Sequence, residues 1–133
     1  MEETRKRILV VDDDASIRMF IRRVLEHQHY EVLEARNGDE GIRVYRESLP
    51  DLVLLDLYMP EKDGLETLRD LRLETPQPKV VTMSGGGPKY DVTILQSARF
   101  LGSQSALVKP FSIGELLELV RTMLDGPPAP AAP

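Results

Sequence analysis

Cysteine is absent from this 133-residue chain, which excludes disulfides and thiolate metal sites at once. Long apolar runs are missing too. None exceeds the four residues of 52–55, far short of the roughly 20 that a membrane-spanning helix requires. Met1 is followed by Glu2, Glu3, Thr4 and the basic trio Arg5, Lys6 and Arg7, with no apolar stretch of the kind a secretory signal needs. A cytoplasmic protein with no membrane partner is therefore expected. Basic residues are outnumbered, 17 against 22 acidic, and the net charge of −5 argues against nucleic acid as a partner. The two histidines, His27 and His29, stand two apart, cannot share a helix face, and read as surface residues. There is no internal repeat.

What is present suits one domain with a real core, since 41% of the residues are hydrophobic. Five short apolar segments recur at 8–11, 31–34, 52–55, 79–83 and 106–108. Between them the apolar residues fall at helical spacing. Ile17, Ile21, Val24 and Leu25 follow a capping Asp14; Val44 and Tyr45 follow Asp39, a candidate cap; Leu65, Leu68 and Leu71 follow Gly64. Ile94, Leu95, Ala98 and Leu101 mark a fourth helix, and Ser112 with Glu115 opens a fifth as a capping box ahead of Leu116, Leu117 and Val120. The pattern predicts an α/β fold, a (βα)5 doubly wound parallel sheet, with 52–55 as a central strand buried on both faces. A single unit over 1–125 is expected, and the Pro/Ala-rich 126–133 reads as a disordered tail or linker stub.

The segment ILVVDDDAS poses a problem, because three carboxylates crowd the end of a buried strand. In an open parallel sheet, ligands bind beyond the carboxyl ends of the strands, where the strand order reverses. Asp12, Asp13 and Asp14 follow the first strand, Asp56 the third and Ser84 the fourth, while Lys109 ends the fifth. Four strands thus deliver polar groups to one edge. An oxygen-rich set of this kind suits Mg²⁺, which takes one or two carboxylates and completes its octahedron with water and phosphate oxygens.

VVDDD at 10–14, DLYMPEKDG at 56–64, MSG at 83–85 and LVKPF at 107–111 together resemble the receiver domain of two-component response regulators, over nearly the whole chain. Each motif is weak alone; four in this order are specific. The resemblance implies the CheY-like, flavodoxin-like strand order 2-1-3-4-5. It implies Asp56 as phosphoacceptor, and Asp12, Asp13, Asp56 and the backbone carbonyl of Tyr58 as the site of Mg²⁺, for which Mn²⁺ can substitute. Ser84 becomes the switch hydroxyl and Lys109 the phosphate-contacting amine, with a cis Lys109–Pro110 bond. The partners implied are a sensor histidine kinase or histidine phosphotransfer protein and an unknown output protein; the chain would be a signalling protein and not a metabolic enzyme. Asp14 is left to cap the first helix.

The sequence departs from that pattern at Ala106, where the family places an aromatic switch residue. It departs again at 85–87, three glycines directly after Ser84. Those glycines are read either as a segment ordered by phosphorylation or as a mobile insertion. They lack the spacing and Ser/Thr of a P-loop. Three rivals stand beside the receiver reading, one of them a DNA-binding regulator cut down to its receiver, with the Pro/Ala tail as the start of a linker. A pseudo-receiver would keep the fold as an interaction module without phosphorylation. A haloacid-dehalogenase-type phosphohydrolase would use Asp12 and Asp14 as a DxD pair with Ser84 and Lys109, but it needs an acidic pair after a later strand, and Lys109 is followed by PFSIGELL, which opens a helix.

Overall fold

A computed structural model describes residues 5–59, 64–85 and 92–126, with the backbone alone at 92–95. Within that set strands and helices alternate as β1 (Arg7–Val11), α1 (Ala15–His27), β2 (Glu31–Ala35), α2 (Gly38–Ser48), β3 (Leu52–Asp56), α3 (Gly64–Arg72), β4 (Val80–Gly85), α4 (Val92–Phe100), β5 (Ser105–Lys109) and α5 (Ile113–Asp125). The strands form one all-parallel sheet in the expected order β2-β1-β3-β4-β5. The proposed tail lies mostly beyond the described residues.

Period-two alternation divides the strands between two cores. Leu9, Val11, Val53 and Leu55 pack with Ile42 and Tyr45 of α2, Leu68 and Leu71 of α3 and Ala98 of α4. Ile8, Val10, Leu52 and Leu54 pack on the opposite face with Ile21 and Leu25 of α1 and Leu116 and Val120 of α5. β3 is buried at all five positions, which is why its sequence is continuously apolar until Asp56. Burying each such Leu or Val stabilises the fold by about 1.5–3 kcal/mol.

Several boundaries differ from the sequence reading. The cap of α2 is Asn37, whose Oδ1 accepts from the Glu40 N–H at 2.8 Å, whereas Asp39 lies in the first turn. A carboxylate there still suits the positive end of the helix dipole. Leu101 falls in the turn after α4, its N–H donating to Ser97 O at 2.9 Å. The side chains of Ile94 and Leu95 lie outside the described residues. Asp56 and Ser84 sit inside their strands, paired in the ladders, instead of just after them. Asp14 caps α1 as expected, its Oδ1 accepting from Ser16 N–H at 2.8 Å and Ile17 N–H at 3.3 Å. Ser112 caps α5, accepting from the Glu115 N–H at 3.0 Å.

The junction between β3 and α3 is the tightest in the fold. The Gly64 N–H donates to Leu57 O at 3.1 Å, and a Cβ on Gly64 would lie 2.3 Å from Asp56 O and 2.4 Å from Leu57 Cα. Both neighbours are backbone, so neither can rotate away. Only glycine lets α3 begin this close to the strand that carries Asp56. Gly64→Ala is expected to cost about 2–3 kcal/mol in a denaturant titration; a loss within about 0.5 kcal/mol, the range of an ordinary surface change, would refute the close approach.

Candidate functional site

β1 pairs with β2 on one side and β3 on the other, so the strand order reverses between β1 and β3. Asp12, Asp13 and Asp56 meet at that point. One carboxylate oxygen from each lies within 4.8 Å of the others. Asp12 is fully buried, Asp56 is 4% exposed and Asp13 is exposed. Lys109, at the end of β5, donates to Asp12 Oδ2 at 2.8 Å and lies 3.6 Å from Asp56 Oδ1. The Lys109–Pro110 bond is cis.

Asp12 is held at every polar atom. Its N–H donates to Ala35 O at 3.1 Å, its Oδ1 accepts from the Asp14 N–H at 2.9 Å, and its carbonyl accepts from Arg18 Nη1 at 2.6 Å. Arg18 and its partner Glu34 were not singled out in the sequence. A basic residue one turn into a helix and an acid on an edge strand carry no local signal of such a contact.

At an effective dielectric of about 20, two charges about 4 Å apart interact by roughly 4 kcal/mol. Three carboxylates share one ammonium, so the cluster carries more negative charge than Lys109 can balance. The strain shows at Asp56, whose carboxyl is pushed up to about 7, first by burial and then by the charge of Asp12, with Lys109 and the Tyr58 N–H (3.2 Å from Oδ1) opposing. An all-oxygen, electron-rich donor set in excess of its cation fits a hard divalent ion. Asp14 is not part of it, because its carboxylate is spent on the α1 cap. The acidic cluster is accordingly Asp12, Asp13 and Asp56, and the Asp12–Asp14 pairing of a phosphohydrolase is not the one that forms.

Ser84 is next to Met83, the register partner of Asp56. Its Oγ is buried and has no hydrogen-bond partner among the described residues. A buried hydroxyl normally finds one, so this one is available to an oxygen arriving at the edge. Two residues earlier, Thr82 pairs in register with Ala106, which is exposed on the edge strand. Here the sequence reading missed a hydroxyl chain. Thr82 Oγ1 lies 3.3 Å from Ser103 Oγ, which donates to Ser105 O at 2.8 Å, while the Ser103 N–H donates to Ala98 O at 2.9 Å. The chain bonds the C-terminal end of α4 to β4. Of the glycine triplet, 86 and 87 lie outside the described residues.

Comparison with known proteins agrees with this geometry. The family described as "Response regulator receiver domain" matches residues 8–121. The chain is 39% identical over 124 residues to the probable transcriptional regulator ycf27 of Pyropia yezoensis, covering 93% of this chain and 49% of that protein. It spans about half the length of this relative. It is also 35% identical to the chemotaxis protein CheY of Bacillus subtilis (strain 168), covering 90% of this chain and 98% of that one. Among solved structures, a CheY-like response regulator receiver domain protein from Methanospirillum hungatei JF-1 superposes with a TM-score of 0.85 at 29% identity, covering 92% and 95% of the two chains.

The raised Asp56 predicts an unusual pH dependence. An unfolded aspartate ionises near 3.9, so between about 4 and 7 the folded, metal-free protein binds more protons than the unfolded chain. The contribution of Asp56 to stability must therefore be lost as pH rises through that window. In EDTA, Asp56→Asn is expected to melt roughly 5 °C or more higher relative to wild type at pH 8 than it does at pH 5. Melting curves that keep the same offset at both pH values would contradict the assignment.

Proposed function

The chain belongs to the response regulator receiver domain family, and we propose that it accepts a phosphoryl group on Asp56 and passes the event on by changing a protein-binding surface. The observation that carries the reading is the position of Asp56: a buried carboxylate at a strand end, flanked by Asp12 and Asp13 and 3.6 Å from the Lys109 amine. The donor is a phosphohistidine on a sensor kinase or on a histidine phosphotransfer protein. The Asp56 oxygen forms a bond to phosphorus as the bond from phosphorus to the donor imidazole nitrogen breaks, and the imidazole leaves with its electron pair and takes up a proton.

Positioning and charge compensation account for most of such a transfer. Asp12, Asp13, Asp56 and the Tyr58 carbonyl would hold Mg²⁺, with Mn²⁺ able to replace it; when bound, the ion offsets the negative charge that otherwise opposes an anionic phosphoryl group. Lys109 supplies a compact positive charge for a phosphoryl oxygen. Lys109 must then exchange its 2.8 Å contact with Asp12 for the new anion, a shift along the same edge. The Ser84 hydroxyl, unpaired among the described residues, donates to another oxygen and ends its isolation. That motion begins at the end of β4 and reaches α4 from its N-terminal side, because the Thr82–Ser103 chain holds the opposite end. Output then falls to the surface of α4, β5 and α5, where Phe100 is 84% and Val108 39% exposed.

The reading is tested by intact mass after incubation with acetyl phosphate and Mg²⁺. Wild type is expected to gain one phosphoryl group, and Asp56→Asn or added EDTA to abolish the gain. No adduct, together with no response to the stable mimic beryllofluoride, would leave the pseudo-receiver.

A further inference from the structure

Asp13 is the one carboxylate of the cluster that stands in solvent, and among the described residues no hydrogen bond holds its side chain. Its direction must be set by its backbone. That backbone is bracketed from both sides by one residue. The Arg18 N–H donates to Asp14 O at 3.1 Å, and the Arg18 guanidinium turns back to donate to Asp12 O at 2.6 Å. Asp12 O belongs to the Asp12–Asp13 peptide, so fixing that oxygen fixes the plane from which Asp13 departs.

The guanidinium is itself aimed. Its Nε donates to Glu34 Oε1 at 3.0 Å, and the other Glu34 oxygen accepts from Arg22 Nη1 at 2.6 Å, with Arg22 Nε on Glu26 at 3.0 Å. Glu34 stands in register with Val10 on the neighbouring strand, so the clamp ties α1, β1 and β2 to one another. As ion pairs these contacts contribute little to stability: an exposed or half-sheltered pair gives about 0–1 kcal/mol. The specific feature is the bond to a carbonyl at the mouth of the acidic cluster.

We propose that Arg18 is a positioning residue of the cation site, fixing the Asp12–Asp13 peptide so that the Asp13 carboxylate points to where the ion is held. The inference rests on the reading of Asp12, Asp13 and Asp56 as a Mg²⁺ site. Its direction is opposite to that of simple electrostatics. Arg18 places a positive charge near the cation, so Coulomb repulsion alone predicts that removing it tightens Mg²⁺ binding. Loss of positioning predicts weaker binding. Outer residues that orient metal ligands typically change affinity by about 10–100-fold when lost.

Calorimetric titration of the metal-free protein with MgCl2 decides between them. Arg18→Met is expected to weaken Mg²⁺ about 10-fold, and amide exchange at Asp13 and Asp14 in the metal-free protein is expected to accelerate. Arg22→Gln makes the same change of charge on the same network but leaves the bond to Asp12 O, and it should stay near the wild-type affinity. Arg18→Lys, which can still reach that oxygen, should recover most of the loss. Should the Met variant not fold, Arg18→Gln, neutral and too short to reach Asp12 O, is read the same way. Unchanged or tighter Mg²⁺ binding in either neutral variant overturns the proposal. Wild type that binds no Mg²⁺, or binds it equally well as Asp13→Asn, overturns the cation-site reading beneath it.

Discussion

Mutual repulsion among Asp12, Asp13 and Asp56 is the constraint around which this molecule is organised. Buried carboxylates are costly unless paired, and here two of the three are almost wholly out of solvent. The fold offsets part of the cost with Lys109, brought 97 residues along the chain to Asp12, and with the Tyr58 and Asp14 N–H groups that donate to the same carboxylates. The remainder is left in place, as the raised Asp56 shows. An excess of negative charge in a sheltered position, offered by oxygen atoms alone, suits a hard divalent cation.

Rigid support for that arrangement comes from elements that do no chemistry. The two cores hold β1 and β3 side by side, and the close approach at Gly64 starts α3 directly beneath the Asp56 backbone. Asp14 ends the acidic run by capping α1, which is how a third aspartate is accommodated without adding to the repulsion. By contrast, the Ser84 side of the site is under-bonded. One end of α4 is bonded through Ser103 to Thr82, while the hydroxyl of Ser84, also on β4, is unpaired among the described residues. With Ala106 in register beside Thr82 and exposed, no ring is available at that strand position to follow the hydroxyl.

Local pattern made most of the architecture legible. The alternation of short β-branched and leucine-rich runs with helical spacing fixes a doubly wound sheet, because each element must bury one stripe or both faces and the lengths permit no other layering. Errors fell where competing local signals lie within a residue or two of each other. Asn37 outcompeted Asp39 as a cap because its extended backbone lets Oδ1 reach the Glu40 N–H, a choice made by dihedral angles and not by composition. Asp56 and Ser84 were placed just past their strands because polar residues look like loop, yet in a parallel ladder the backbone keeps pairing while the side chain turns to the edge.

The sequence by itself determined the kind of edge this protein has: carboxylates, a hydroxyl and an amine at the ends of successive strands, each readable from its neighbours. Only the tertiary structure decided how they are held. Lys109 bonds to Asp12 more closely than to Asp56, and Arg18 and Glu34, silent in the sequence, grip the backbone behind the cluster. The division has a physical reason. Periodicity and capping depend on residues within a turn or two, whereas contacts across the sheet depend on strand order and register, which are set by how whole faces bury against one another.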